Sequence, residues 1–362
     1  MHCTKAIPRR PSGWARVAAR WAKYAVGMAF LLVSAALAQP AAANVPTLVR
    51  RAQAAMEVGD FTRAVQNLER AQQLSPQDAG IARDLMRGYL QAGQTQAAMA
   101  FGNQAASRFP QSAGVHHYLG LAYFKSGQLA AAARELQRAK ELDAQDGDIR
   151  FDLGLVRLSQ SDYASAAIEL ETVVKKQAGN ALSRVLLGRA YMNTNRTLEA
   201  MEQFKAALKL DPAVPLGHYH LGFAYQALGR TAEAIAEYQA EAPRAAGNSE
   251  LRYQLGHCLL ESGDWKSAIE QLTKATELNP ENPSAFYDLG KAALLLGDAR
   301  ASEAPLRRAA ELKPTDPSAH YQLARALQKL GRNDEAERER QRFAELKKMH
   351  PAEAGMATSR DQ

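Results

Sequence analysis

The stretch SELRYQLGHCLLESGDWKSAIEQLTKATELNPEN, Ser249 to Asn282, reads as two short helices joined by a turn. Apolar residues recur at helical spacing at Leu251, Leu255 and Leu259 in the first half, and at Ala268, Ile269, Leu272, Ala275 and Leu278 in the second. Between them, Gly263 suits the left-handed end of a helix and Asp264 can accept N–H bonds at the start of the next. Asn279 precedes a proline, which predicts the end of the second helix there.

Neither helix can enclose its apolar stripe alone, so the unit requires copies of itself on either side. The same pattern recurs every 34 residues from Val45 to His350 without insertion or deletion, in nine repeats that start at residues 45, 79, 113, 147, 181, 215, 249, 283 and 317. A small residue recurs at Ala64, Ala98, Ala132, Ala166, Ala200, Ala234, Ala268, Ser302 and Ala336, where two helices are expected to approach closely. A bulkier side chain at this position should overpack the contact at a cost of about 1–3 kcal/mol.

The recurring pattern LGxxYxxxGxxxxAxxxF…P resembles the tetratricopeptide repeat (TPR) family. It is clearest at Leu221, Gly222, Tyr225, Gly229, Ala234 and Tyr238. The resemblance implies an all-α fold, a right-handed superhelix of helix-turn-helix repeats. Repeat 1 departs from the pattern at Arg51, repeat 4 at Arg157 and Ser161, and repeat 8 at Pro305. A proline inside a helix removes a hydrogen bond and clashes one turn back, so a kink or local distortion is predicted in repeat 8.

Residues 1–43 contain six basic residues and no acidic one, followed by an apolar run from Tyr24 to Ala38. The run is shorter than the roughly 20 residues that span a bilayer, and small residues follow it. These features predict a secretory signal peptide cut after Ala38 or Ala43, and hence a bacterial protein that is periplasmic or secreted. An uncleaved membrane anchor is the main alternative, and export by the twin-arginine route at Arg9-Arg10 is a weaker one.

The leader also explains the net charge of +7. It holds six of the 45 basic residues, so the rest of the chain has 39 basic and 38 acidic residues. The near balance removes the main argument for nucleic acid as a partner, and leaves contact with a membrane only to an uncleaved leader. Cys3 lies in the leader, so Cys258 has no second cysteine for an internal disulfide and is interpreted as a semi-buried structural thiol.

Histidines offer no metal site, because His116, His218 and His320 share one repeat position three repeats apart and should lie some tens of Å from one another. They are expected to be half-buried packing residues. Phosphate-binding, zinc-protease and nucleophile-elbow motifs are missing from the sequence, which predicts no cofactor and no enzyme activity. Carboxylates such as Glu135 and Glu237 are expected on solvated helix faces.

The resemblance implies that positions 2, 5, 6, 9, 12 and 13 of each first helix line the inner wall of the superhelix. Tyrosine fills position 5 in repeats 6 to 9, and a tyrosine can bury area against an extended peptide while its hydroxyl bonds the peptide backbone. The candidate groove residues are Arg87, His117, Phe151, Arg189, Tyr219, Phe223, Tyr253, His257, Tyr287, Lys291, Tyr321 and Arg325. The same tyrosines are also explained as repeat consensus. The lysines and asparagines with which some TPR domains hold a terminal carboxylate are not matched, since Tyr118, Asp148 and Asp152 stand at those positions.

These observations predict a non-catalytic scaffold in the cell envelope that binds a protein or an extended peptide in its groove. The resemblance to exported TPR proteins implies a role in envelope assembly or secretion. An alternative is a carbohydrate-binding accessory protein in polysaccharide export, with the tyrosines stacked on sugar rings. Repeat 9 is rich in charge, including Arg340 at a position that is apolar in other repeats, and is expected to cap the array. Residues 351–362 show no periodicity and are expected to form a disordered tail.

Overall fold

The computed structural model of the chain describes residues 44–349. These residues form 18 α-helices and no strand. The predicted signal peptide, the predicted tail and the final residue of repeat 9 lie outside the described residues.

The helices alternate between the two halves of each repeat. The first helices are α1 Val45–Glu57, α3 Ala79–Gln91, α5 Ala113–Lys125, α7 Gly147–Ser159, α9 Ala181–Met192, α11 Gly217–Ala227, α13 Ser249–Glu261, α15 Pro283–Leu295 and α17 Pro317–Lys329. The second helices are α2 Phe61–Leu74, α4 Thr95–Arg108, α6 Leu129–Leu142, α8 Tyr163–Lys176, α10 Thr197–Leu210, α12 Thr231–Glu241, α14 Trp265–Leu278, α16 Ala299–Leu312 and α18 Asn333–Met349. The predicted all-α array of paired helices is confirmed.

The turn inside each repeat requires a left-handed residue. Gly263 has φ +87°, and the side chain of Asp264 then accepts a hydrogen bond from the amide of Ser267 at 3.2 Å. The other turn glycines with positive φ are Gly59, Gly93, Gly127, Gly229, Gly297 and Gly331. In repeats 4 and 5 the same position is Ser161 and Asn195, with φ of 62° and 61°. The backbone therefore keeps the left-handed turn although a side chain makes it less favourable.

The predicted small-residue position is buried in every repeat. Ala64, Ala98, Ala132, Ala166, Ala200, Ala234, Ala268, Ser302 and Ala336 have no exposed surface. Opposite this position, the first helix often carries glycine: a Cβ added to Gly256 would lie 2.6 Å from Cγ of Leu272 on the second helix. Small side chains thus set the close approach of the two helices within a repeat.

Repeat 6 departs from the regular pattern. Its first helix begins at Gly217, two residues later than the repeat spacing predicts, after Leu216 adopts φ +58°. Its second helix ends at Glu241, because Pro243 cannot continue the helical hydrogen bonds. In repeat 8, by contrast, α16 continues through Pro305 and occupies the same repeat positions as α14, so the proline does not end the helix.

The described residues divide into two compact units, 44–190 and 191–349. Consecutive helices pack against one another from α1 to α8 in the first unit and from α10 to α18 in the second. First helices of neighbouring repeats also lie side by side: α3, α5 and α7 in the first unit, and α13, α15 and α17 in the second. These two sets of first helices therefore present residues at equal repeat positions side by side, among them the candidate groove residues His117 and Phe151 in the first unit and Tyr253, Tyr287 and Tyr321 in the second.

Candidate interaction surface on the first helices

Four tyrosines at position 5 of α11, α13, α15 and α17 form what we call the tyrosine row: Tyr219, Tyr253, Tyr287 and Tyr321. Tyr321 is 37% exposed and the other three are partly buried. Three of the rings are held by another ring: Tyr219 by Tyr238 at 5.8 Å between centroids, Tyr253 by His257 at 5.9 Å, and Tyr321 by Phe343 at 5.4 Å. These contacts restrict the rings before any partner arrives.

Basic side chains follow the last three tyrosines one helical turn later, at position 9, as His257, Lys291 and Arg325. His257 Nδ1 lies 2.8 Å from Oδ2 of Asp288 on the next first helix. Burial opposes protonation of His257, but hydrogen bonds with Asp288 and Glu261 outweigh it and raise its pKa to about 10. The imidazole is therefore cationic at neutral pH and joins α13 to α15 through an ion pair.

Arg325 ends this series at the edge of repeat 9. Its guanidinium lies 5.8 Å from the centre of the Tyr321 ring and donates a hydrogen bond to Oε1 of Gln322 at 3.0 Å. Phe223 holds position 9 in repeat 6 and is partly buried. The second unit thus places a tyrosine and a cation on the same helix face in three successive repeats.

The candidate residues of the first unit are less accessible. Phe151 is 3% exposed and His117 is 9% exposed, whereas Arg87 and Arg189 are partly buried. His117 Nε2 lies 2.8 Å from Oδ2 of Asp152, so the two residues connect α5 to α7. A partner could reach Phe151 or His117 only if neighbouring residues moved. The main role of these two residues is therefore to pack the helices together.

A pair of polar side chains that recurs within single repeats was not predicted from the sequence. The histidine at position 4 of the first helix meets a glutamate 19 residues later on the second helix, in His116–Glu135 at 2.7 Å, His218–Glu237 at 2.6 Å and His320–Glu339 at 2.7 Å. The expectation that Glu135 and Glu237 belong to solvated faces was wrong, because each is bonded to a histidine. The spacing of 19 residues between histidine and glutamate, repeated in three repeats, is the sequence signal that could have predicted these pairs.

The same spacing joins Arg150 to Glu169, which is 7% exposed. Oε2 of Glu169 lies 2.6 Å from Nη1 of Arg150, and its Oε1 lies 2.7 Å from Nζ of Lys140 in the preceding repeat. A buried carboxylate without these cations would be costly, so Glu169 is a structural group. Glu169 lies on α8 and its partners lie on α6 and α7, so the ion pairs join three helices.

Chemistry elsewhere on the described residues is sparse. No three His, Cys, Asp or Glu side chains between residues 44 and 349 are grouped to hold a metal ion. Cys258 is fully buried, and burial together with Glu261 raises the pKa of its thiol to about 12. The thiol is thus more deeply buried than predicted and stays protonated at neutral pH. Among residues 44–349 the helices are also too short or too polar to cross a bilayer.

Comparison with known protein families shows to which family the chain belongs. Four sequence models described as tetratricopeptide repeat or TPR repeat match residues 55–101, 89–150, 188–229, 253–317 and 306–338. The chain belongs to the tetratricopeptide repeat family, whose fold serves protein–protein interaction. No curated protein sequence matches it.

Solved structures show the same fold. In the Cut9–Hcn1 hetero-tetramer of the APC/C, the match has a TM-score of 0.53 at 17% identity and covers 78% of this chain and 55% of that one. The C-terminal part of a TPR repeat-containing protein from Cytophaga hutchinsonii gives 0.51 at 18% identity, covering 66% and 98%. Pilf from Pseudomonas aeruginosa gives 0.51 at 20% identity, covering 57% and 96%. At these identities the likeness concerns the fold alone.

Proposed function

We propose that the protein is a non-catalytic interaction scaffold of the bacterial cell envelope that binds an extended segment of a protein partner along the tyrosine row. The observation that carries the proposal is the recurrence of tyrosine at one position of α11, α13, α15 and α17, with three of the rings held by neighbouring rings. Rings fixed in this way lose little freedom on binding, while their hydroxyls can bond the backbone of a peptide.

The repeat geometry suits an extended ligand. Packed helices lie roughly 8–10 Å apart, and an extended chain advances about 3.3 Å per residue. Successive tyrosines would therefore meet about every third residue of the partner. A segment of roughly ten residues would span the row. Several weak contacts along the segment would together give specific binding.

The proposed location rests on the leader. Its six basic residues, the apolar run after them and the small residues at Ala36–Ala38 and Ala41–Ala43 support export from the cytoplasm. Fractionation of the native cells tests this location. A periplasmic or secreted form that begins at residue 39 or 44 by mass spectrometry is expected, whereas a full-length cytoplasmic form would refute it. A full-length form in the membrane fraction would favour an uncleaved anchor instead.

The binding surface is tested by crosslinking and affinity capture in the native envelope. The wild-type chain is compared with a variant in which Tyr219, Tyr253, Tyr287 and Tyr321 are alanine. A matched control replaces three exposed leucines of the second helices with alanine: Leu198, Leu210 and Leu278. Specific proteins should be captured by the wild type and the control and lost with the tyrosine variant, while circular dichroism shows unchanged helicity.

Two results would contradict the proposal. Retention of the captured proteins by the tyrosine variant would move the binding surface elsewhere. Enrichment of envelope polysaccharide, without any protein, would replace the protein partner with a carbohydrate one. Salt titration separates these ligands further, because capture of an acidic polymer weakens steeply with salt and an apolar peptide contact does not.

A further inference from the structure

We propose that the junction between repeats 6 and 7 is a joint at which the second unit opens and closes, because Glu241 buries a carboxylate there without a cation. Glu241 is the last residue of α12 and occupies position 27 of its repeat. It is 4% exposed. The same position is a buried alanine or valine in seven other repeats, as Ala71, Ala105, Ala139, Val173, Ala207, Ala275 and Ala309. A charged side chain thus replaces a small apolar one in the core of the junction.

The other buried acids of the chain have basic partners. Within residues 44–349, these pairs are Asp84 with Arg83, Asp152 with His117, Glu169 with Arg150 and Lys140, and Asp288 with His257. Among the same residues, the carboxylate of Glu241 has neither an ion pair nor a hydrogen bond, and its Oε2 is buried. Burial of a carboxylate without a partner is costly, so it opposes the closed packing of this junction.

Arg252 of α13 is a cation that reaches the same end of α12. Its Nη2 donates a hydrogen bond to the carbonyl oxygen of Ala242, the residue after Glu241, at 3.3 Å. Its Nη1 donates to Oε1 of Gln271 at 2.9 Å, and its Nε is buried and donates no hydrogen bond. The closed junction therefore holds an anion and a cation at one helix end without pairing them. Opening gives the carboxylate access to water and to Arg252, which relieves the cost of its burial.

The backbone at this junction is also less regular than at its neighbour. α12 has 11 residues, whereas α14 has 14. Residues 242–248 connect α12 to α13, whereas only residues 279–282 connect α14 to α15. At the start of repeat 6, the left-handed conformation of Leu216 is unfavourable for a residue with a side chain. Repeat 6 is therefore held closed by fewer helical hydrogen bonds, and local opening occurs where such stabilisation is smallest.

The joint divides the tyrosine row. Tyr219 stands on α11 in repeat 6, and its ring is held by the fully buried Tyr238 of α12. Tyr253, Tyr287 and Tyr321 stand beyond the joint, on α13, α15 and α17. Opening would therefore move Tyr219 relative to the other three tyrosines and change the spacing that a partner meets. This effect on binding rests on the proposed function, whereas the joint itself does not.

Native-state amide exchange of the full-length chain tests the joint. Glu241→Ala introduces the side chain that six other repeats have at this position, and it should slow exchange in α12 and α13 about tenfold. Glu241→Gln removes the charge at nearly unchanged size and should slow exchange by a smaller factor. Glu277→Ala removes an exposed glutamate of α14 that has no ion pair, and this matched control should leave exchange unchanged. Ala275→Glu places a carboxylate at the same position of repeat 7 and should speed exchange there.

Distances between spin labels measure the motion itself. In a Cys3→Ser chain, Ala232→Cys and Lys266→Cys place labels on either side of the joint, at equal repeat positions. Lys266→Cys and Arg300→Cys place them on either side of the regular junction between repeats 7 and 8. The three positions are exposed, and Cys258 is fully buried and does not compete for the label. The distance distribution across the joint should be the broader one, and Glu241→Ala should narrow it.

Three results overturn the proposal. The first is exchange in α12 and α13 that Glu241→Ala leaves unchanged or makes faster. The second is an equal slowing of exchange by the control Glu277→Ala, and the third is an equal width of the two distance distributions. All of these measurements are made without a partner. Failure of the tyrosine row as a binding surface and failure of the joint are therefore separate results.

Discussion

Replacement of Gly256 by alanine tests how closely the two helices of a repeat are packed. Alanine is the better helix former by about 1 kcal/mol in a helix interior, so propensity alone predicts a more stable protein. The structure predicts the reverse. The new Cβ would lie 2.6 Å from Cγ of Leu272 and 3.2 Å from its backbone nitrogen. Leu272 has no exposed surface into which it could move.

The magnitude follows from these opposing effects. Overpacking a rigid contact costs about 1–3 kcal/mol, which exceeds the gain in propensity and leaves a net loss of about 1 kcal/mol. Gly102 in α4 is the matched comparison. Its added Cβ would meet Cε of Met86 at 2.6 Å and Cδ1 of Leu119 at 2.9 Å, the flexible ends of two side chains. Because these ends can shift, Gly102→Ala should be neutral or slightly stabilising.

Native-state amide exchange measures the change in local stability that each of the two substitutions causes. Gly256→Ala should lower the protection of α13 and α14, and Gly102→Ala should leave α3, α4 and α5 unchanged or better protected. Local exchange suits this fold, because stability in a repeat array varies along the chain. If amide protection changed with the same sign and size in the two variants, the mobility of the contacted atom would not decide whether an added Cβ destabilises the repeat.

Three further predictions concern single side chains. Ser161→Gly should stabilise repeat 4 by about 0.5–1 kcal/mol, because glycine relieves the left-handed φ of 62°, and unchanged amide exchange there would contradict this. In a Cys3→Ser chain, the buried Cys258 should react with a thiol reagent only after urea unfolds repeat 7, and prompt labelling of the native protein would count against its burial. His257→Gln should destabilise most near pH 6, where His257 is charged both folded and unfolded. Since its pKa is raised from 6.5 to about 10 in the fold, this loss should shrink as the pH rises between those values, and a loss independent of pH would argue against the ion pair with Asp288.

The sequence predicted the fold in detail because the signals that build it are local. Helical spacing of apolar residues, the turn glycine and the small residue of the second helix all repeat every 34 residues. Even repeat 4 follows the rule, since Ser161 adopts the conformation of the glycine that it replaces. Repeat 6 shows the limit, as Leu216 and Pro243 alter both of its helices although the repeat length is unchanged.

The polar contacts were much harder to predict. A glutamate such as Glu135 on a charged helix looks solvated until the position of the facing histidine is known. Burial also differs between residues at equal repeat positions. Phe151 is 3% exposed and Tyr321 is 37% exposed, although both occupy position 5. Phenylalanine has no hydroxyl that requires water or a partner, and Tyr321 lies in the last of the repeats within residues 44–349, where the described residues contain no further repeat to cover it.

The polar bridges between neighbouring repeats constrain how such a chain can be shortened or rearranged. Every repeat has the same length, so loss of residues 147–180 would preserve the apolar pattern. It would, however, set Leu186 where Asp152 now meets His117. The apolar positions specify only that one repeat follows another, whereas the bridges specify which one. Recombination between repeats would thus tend to conserve the fold but separate the two residues of a bridge. The bridges therefore constrain the order of the repeats, whereas the apolar pattern does not constrain their number.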